Sequence, residues 1–314
     1  MSVEPIPLLS RPSTEARALA ASGAPVYLSV NPVEYHGPHL SLENDALVSR
    51  GLVYDLHGLL RERHPDWPLL WAGELRLGVD PVPGPGSQPV AMSDVRRVVR
   101  RACRSLLDLG AQRLVVMSFH GSPLHNLALW DGVREATRAG VPALAPMNVL
   151  LRQLMRVDGR DLAPAFAHIA EPTARRMMRD LKLDFHAGFA ETSLALHYAP
   201  ETVSPLLSQV PPCPEPAPVA WMQGAARLAR LAGRRGLARD LGAAGRLLGW
   251  YHMRPFPGYT SSPHLATARS GVVIAGYIVK RFVDWAERVL VRGEPAPPPV
   301  MRWLEPLTLG GRLL

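Results

Sequence analysis

Two short apolar runs, Pro25 to Val30 (PVYLSV) and Arg113 to Phe119 (RLVVMSF), constrain this chain more than anything else in it. Neither shows the polar–apolar alternation of a strand with one wet face, so each predicts a strand buried on both sides. Trp67 to Ala72 and Pro142 to Met147 read as two further strands. Between them the apolar spacing changes to three and four residues. Leu42 to Arg63 predicts a helix through Leu47, Val48, Gly51, Leu52, Leu56, Leu59 and Leu60. Ser93, as N-cap with Asp94 behind it, opens another that runs to Leu109 and stops at Gly110. Leu124 to Ala139, Thr173 to Leu181, Glu191 to Tyr198 and Leu265 to Val291 complete the helices, and Leu75 to Val90, rich in Gly and Pro, reads as irregular loop. Strands alternating with helices predict an α/β fold with a mostly parallel sheet covered on both faces.

The chain has 314 residues, 47% of them hydrophobic, which is ample for a core. The expected organisation is a single domain over 1–314, with its core at about 25–291, an N-terminal arm at 1–24 and a Pro-rich tail at 292–314. No apolar run reaches the roughly 18 residues of a membrane helix, and the N-terminal residues do not pattern as a secretory signal. Cys103 and Cys213 fit no zinc or redox spacing. A cytoplasmic protein is expected, with any metal held by His and carboxylates. The formal charge is +8, but the basic residues are almost all Arg, Lys182 and Lys280 being the only lysines. With abundant Ala, Pro and Gly, that pattern reflects GC-rich coding rather than a nucleic-acid patch, and no recognition motif accompanies it. Arg227, Arg230 and Arg234 fall on one face of an expected helix and read as a solvated stripe.

Chemistry concentrates after the two buried strands. Glu34 and His36 are two apart in extended chain and project together from the end of the first. Asp45 follows near the start of the next helix, where the dipole favours a carboxylate. His120 closes the second strand. In open α/β sheets, ligands bind outside the carboxyl ends of the strands. Two His, a Glu and an Asp there suit zinc, manganese or iron.

Glu34-Tyr35-His36-Gly37-Pro38-His39-Leu40 with Asn44-Asp45 resembles the first signature of the creatininase (creatinine amidohydrolase) family. His186-Ala187-Gly188 with Glu191-Thr192-Ser193 resembles the second. Gly258-Tyr259 through Pro263 and Ala266-Thr267 to Gly271 is similar to the C-terminal one. The resemblance implies a three-layer α/β/α fold and one or two divalent ions (Zn, Mn or Fe) held by Glu34, His36, Asp45 and His120. Asp45 would bridge them. It also implies proton handling by His186, a role for Glu191 as a ligand or in holding the reactive water, and a homo-oligomer, commonly a hexamer. The chain departs from the pattern at Ser122, where creatininase has a Glu that completes the second ion, at Asn126 and Phe189, and in the Gly78 to Pro89 loop, which lacks a His.

The implied activity is metal-dependent amidohydrolysis of a non-peptide or cyclic C–N bond, of lactam or formamide type, by metal-activated water. The alternatives are trimming of a short peptide during maturation of a peptide-derived cofactor or natural product, and a non-catalytic binding protein on the same fold. The expected partner is a small-molecule amide or a short peptide, with neither nucleic acid nor membrane.

Overall fold

The computed structural model describes residues 4–154 and 159–308. In chain order its elements are β1 (Ile6–Pro7), α1 (Ser13–Ala20), β2 (Val26–Asn31), α2 (Asn44–Arg63), β3 (Leu70–Arg76), α3 (Met92–Leu109), β4 (Leu114–Met117), α4 (Pro123–Arg138), β5 (Ala143–Leu144), α5 (Pro146–Leu154), α6 (Glu171–Arg179), α7 (Phe189–Tyr198), α8 (Ala220–Leu231), α9 (Arg235–Tyr251) and α10 (Ala268–Ala286). The five strands form one parallel sheet in the order β1-β3-β2-β4-β5.

The alternating side chains of β2 and β4 divide the interior into two cores. Tyr27, Val115 and Met117 face one, with α2, α5, α6, α7 and α10 packed over them. Val26, Leu28, Val30, Leu114 and Val116 face the other, under α1, α3 and α4. The expected α/β/α architecture with a parallel central sheet is therefore observed, and the apolar runs lack alternation because both faces are dry.

Strands β2 and β4 are neighbours, yet α2 leaves β2 over one face and α4 leaves β4 over the other. This reversal opens a crevice at their carboxyl ends. Residues 32–45 and 118–126 descend into it from the two central strands.

Several local expectations are corrected. Segment 1–24, expected as an arm, is built into the body where it is described: β1 pairs with β3, and Leu8, Ala16 and Ala20 are buried. Strand β3 begins later than Trp67 and runs on to Arg76, because the extra residue at Ala72 and the left-handed Gly73 shift the register without ending the pairing. Ser93 is not the N-cap of α3; Ala91 is, and Asp94 sits in the first turn. The strand after Pro142 stops at Leu144, since Pro146, which lacks an N–H, opens α5 instead. Arg234 leaves the face of Arg227 and Arg230, because the chain turns at Gly233 (φ 72°) between α8 and α9. The last long helix is α10 followed by a wider π-type turn over Glu287–Val291. Of the tail expected at 292–314, residues 309–314 lie outside the described residues.

Helices α7 and α10 approach so closely that a Cβ on Gly271 would overlap the Ser193 carbonyl oxygen. Backbone cannot move aside as a side-chain tip can. Gly271→Ala should therefore destabilise the fold by about 1–3 kcal/mol, read from urea denaturation midpoints, and should displace α7 from the crevice.

Candidate metal centre

Strand β2 ends at Asn31, whose buried amide ties the crevice together. Its Oδ1 accepts from the Phe119 N–H (2.9 Å), the Ser49 hydroxyl (3.0 Å) and the Ser118 hydroxyl (3.2 Å). One side chain thus locks β2, α2 and the end of β4 in register. Glu34 and His36 follow on one side, Asp45 in the first turn of α2, and His120 just beyond β4. All four are at most 5% exposed.

The structure brings these residues together. His120 Nδ1 lies 2.9 Å from Glu34 Oε1 and 3.4 Å from Asp45 Oδ2. His36 Nε2 lies 3.3 Å from Asp45 Oδ1 and 3.2 Å from Glu191 Oε1. Three donor groups result among the described residues, Glu34–Asp45–His120, His36–Asp45–Glu191 and Glu34–His36–His186, each with its atoms within 4.8 Å of one another. Asp45 belongs to the first two. The second carboxylate beside His36 thus comes from α7, not from position 122.

The outer nitrogen of each imidazole is occupied. His36 Nδ1–H donates to the Glu34 carbonyl (3.0 Å), leaving Nε2 facing inward. His120 Nε2–H donates to the Val79 carbonyl (3.0 Å), leaving Nδ1 facing inward. Such bonds set the tautomer of a metal-binding histidine. Glu34 Oε2 accepts from the Val82 N–H (2.6 Å), and Glu191 Oε1 from Asn44 Nδ2 (2.9 Å). Val79 and Val82 lie in the loop that the sequence presented only as Gly- and Pro-rich. Their contribution is through backbone atoms, which leave no residue signature.

The donor set fits a divalent ion. Asp45 Oδ2 is buried without a hydrogen-bond partner. Among the described residues, the ion-pair partners of Glu34, Asp45 and Glu191 are histidines alone. Two buried carboxylates and a third that is 12% exposed, with no Lys or Arg beside them, need positive charge from elsewhere. Without an ion, the imidazoles supply it. Burial opposes charge on His36, but Glu191 and Asp45 outweigh it and hold the ring well above the usual histidine range. Burial is likewise overcome at His120, by Glu34 and Asp45.

His186 stacks on His36 with ring centroids 4.5 Å apart, and its Nε2–H donates to the Tyr35 carbonyl (2.9 Å). Burial, and then the nearby His36, lower its proton affinity. The next residue, Ala187, is left-handed (φ 44°) and exposes both its backbone groups to the site. Its N–H donates to Glu191 Oε2, and its carbonyl accepts from His39 Nε2 (3.1 Å). Thr260 clamps this segment by accepting from the His186 N–H and donating its own N–H to the His186 carbonyl. The third sequence motif therefore holds the second in place. It also meets the first, since a Cβ on Gly258 would overlap the Tyr35 ring.

Known proteins resemble this chain in sequence and in fold. The family model described as Creatininase, creatinine amidohydrolase, matches residues 10–286. The mycofactocin precursor peptide peptidase of Mycobacterium ulcerans (strain Agy99) is 28% identical over 210 residues, 63% of this chain and 68% of that protein. A solved creatininase in a manganese form superposes with a TM-score of 0.56 at 20% identity, over 89% of this chain and 96% of that one. A mutant creatininase of Zn–Zn type gives 0.55 at 19% over the same shares. At these identities the solved structures speak to the fold alone. Among the described residues no helix is long and apolar enough to cross a membrane.

Because His36 and His120 are held above their usual range without an ion, both carry protons at neutral pH, and a metal must displace them. Zinc affinity should rise with pH, by about tenfold per unit for each proton displaced. Zinc addition at pH 7 should release up to two protons per chain from these rings, measured with a pH indicator in weak buffer.

Proposed function

The chain belongs to the creatininase family, and on that premise we propose that it is a divalent-metal hydrolase that cleaves a C–N amide bond of non-peptide or cyclic type, a lactam or formamide. The observation that carries this reading is the sharing of Asp45 between two donor sets. Glu34, Asp45 and His120 would hold one ion, and His36, Asp45 and Glu191 the other. Zinc and manganese are the first candidates, iron the third.

Bound there, such ions act as Lewis acids on the amide carbonyl and lower the pKa of water towards about 7. The protein's own groups do the rest. Asn31 and the Val79–Val82 loop fix the angles at which the donors meet. His186 is neutral at rest, being buried beside His36, and so can take the proton that the attacking water gives up. It then delivers that proton to the leaving nitrogen. Glu191, anchored by Asn44 and the Ala187 N–H, keeps its carboxylate between His36 and the His186 segment.

A second reading keeps this chemistry and changes the substrate to a short peptide. The likeness to a precursor peptide peptidase favours it. Assay of lactams and formamides beside short peptides, with mass-spectrometric detection, separates the two.

Elemental mass spectrometry on protein grown with zinc, manganese and iron should find one to two ions per chain in the wild type and loss of metal in Asp45→Ala. His36→Ala should lose at least about 10³-fold in turnover while its circular dichroism stays that of the wild type. His186→Gln should keep its metal and lose about 10²–10⁴-fold in kcat. A well-folded wild type that takes up no metal would overturn the reading.

A further inference from the structure

Helix α8 carries an uncovered apolar line that the metal centre does not use. Met222, Ala226 and Ala229 are its buried side, packed towards α9, where a Cβ on Gly245 would meet the Met222 side chain. A helix seated this way normally turns polar residues outwards. Instead Trp221 is 67% exposed, Leu228 69% and Leu231 84%. With Gly224 these residues are spaced three, four and three apart, so they form one line along the helix. That is the spacing by which one helix packs along another. Gly224 is exposed, and a Cβ there would meet nothing within 4 Å, so it leaves a notch in the line. Single exposed apolar residues need no explanation, but large ones in one line, rimmed by charge, mark an interaction site.

The rim has one sign. Residues 220–251, which span α8 and α9, hold six arginines and one acid, Asp240. Asp240 is engaged elsewhere: it lies 3.8 Å from Arg239 and accepts from the Trp303 indole N–H (3.4 Å). Arg227, four residues before Leu231, lies beside the apolar line, with Arg230 behind it and Arg234 and Arg235 at the turn into α9. All four are exposed, and none has an ion pair among the described residues. A two-fold pair of copies would set this face against itself and bring arginine against arginine. A bilayer is flat and has no use for the notch at Gly224. Charge and shape together fit a facing helix that is acidic.

We propose that α8 is a docking surface for an acidic amphipathic helix of a partner polypeptide. The apolar residues of that helix would lie along Trp221, Leu228 and Leu231, one of them entering the notch at Gly224. Its Asp and Glu side chains would pair with Arg227 and Arg230. Apolar contact supplies the attachment, and the arginines supply register and choice of partner. Helix α9 joins this surface to the wall of the crevice, since its Trp250 ring lies 5.6 Å from the His186 ring. The proposal is independent of the chemistry at the metal centre.

Fluorescence anisotropy with two labelled three-heptad peptides tests it. Both carry Leu at the a and d positions; one has Glu at e and g, the other Lys. The full chain should bind the Glu peptide at least about tenfold more tightly than the Lys peptide, and added salt should narrow the difference. Leu228→Gln with Leu231→Gln changes only exposed side chains, so circular dichroism should stay that of the wild type while Glu-peptide binding weakens at least about tenfold. Arg227→Gln with Arg230→Gln keeps the apolar line and should bind the two peptides equally. Equal binding by the wild type, or a preference that survives the arginine pair, would overturn the proposal. So would a wild type that sediments as an oligomer and dissociates when Leu228 and Leu231 are replaced, which assigns the face to a second copy. Cosedimentation with phosphatidylglycerol vesicles that the same substitutions abolish assigns it to a bilayer and overturns the proposal equally.

Discussion

Three carboxylates crowded into one crevice, two of them buried and the third only slightly exposed, repel, and nearly everything around the crevice answers that repulsion. Glu34, Asp45 and Glu191 have no Arg or Lys partner among the described residues, although arginine is abundant in the chain. Their charge is met by His36 and His120, whose outer nitrogens are tied to backbone carbonyls so that the inner ones face the acids. Uncompensated, such a group of buried charges would cost several kcal/mol. On the proposed reading, a divalent ion would replace two protons at that point and leave the imidazoles neutral. The same geometry would serve both states, and Asp45 Oδ2, buried without a hydrogen-bond partner, marks where protein donors alone fall short.

The scaffold is arranged to hold these charges still. Asn31 accepts three hydrogen bonds and binds the ends of β2 and β4 to α2. The loop after β3 fastens one donor with a carbonyl and another with an N–H. Helix α7, pressed against α10 at Gly271, brings Glu191 in from a distant part of the chain. Further histidines are held neutral for support. Burial lowers His39 to about 4 and His125 to about 3, with the nearby His120 adding to the latter. Their rings act as fixed hydrogen-bonding groups and not as charges. The crevice thus separates histidines that carry charge from those that only position backbone.

Much of the fold was legible because dry strands and half-wet helices have different apolar periods. PVYLSV and RLVVMSF read as fully buried strands, and they are the two central ones. Boundaries were less legible where a single residue outweighs the period. Pro146 ends a strand that the apolar pattern would continue, Gly73 lets β3 run past its expected end, and Gly233 splits a basic stripe into two helices. Strand β1 has only two residues, too few for any periodicity to register.

The sequence by itself determined that Glu34, His36, Asp45 and His120 would share one edge of a parallel sheet. That follows from strand direction and from spacings of two and nine residues, which are local properties of the chain. The resemblance implied Glu191 as a ligand, but only the tertiary structure placed it beside His36, with Glu34 and Asp45. Ser122, in the position where the family resemblance places a Glu, cannot supply one, and Glu191 does so from 155 residues further along. The structure also decided that a featureless Gly- and Pro-rich loop would fasten two donors. Backbone hydrogen bonds and long-range packing carry that information, and neither depends on residue type strongly enough to be read in one dimension.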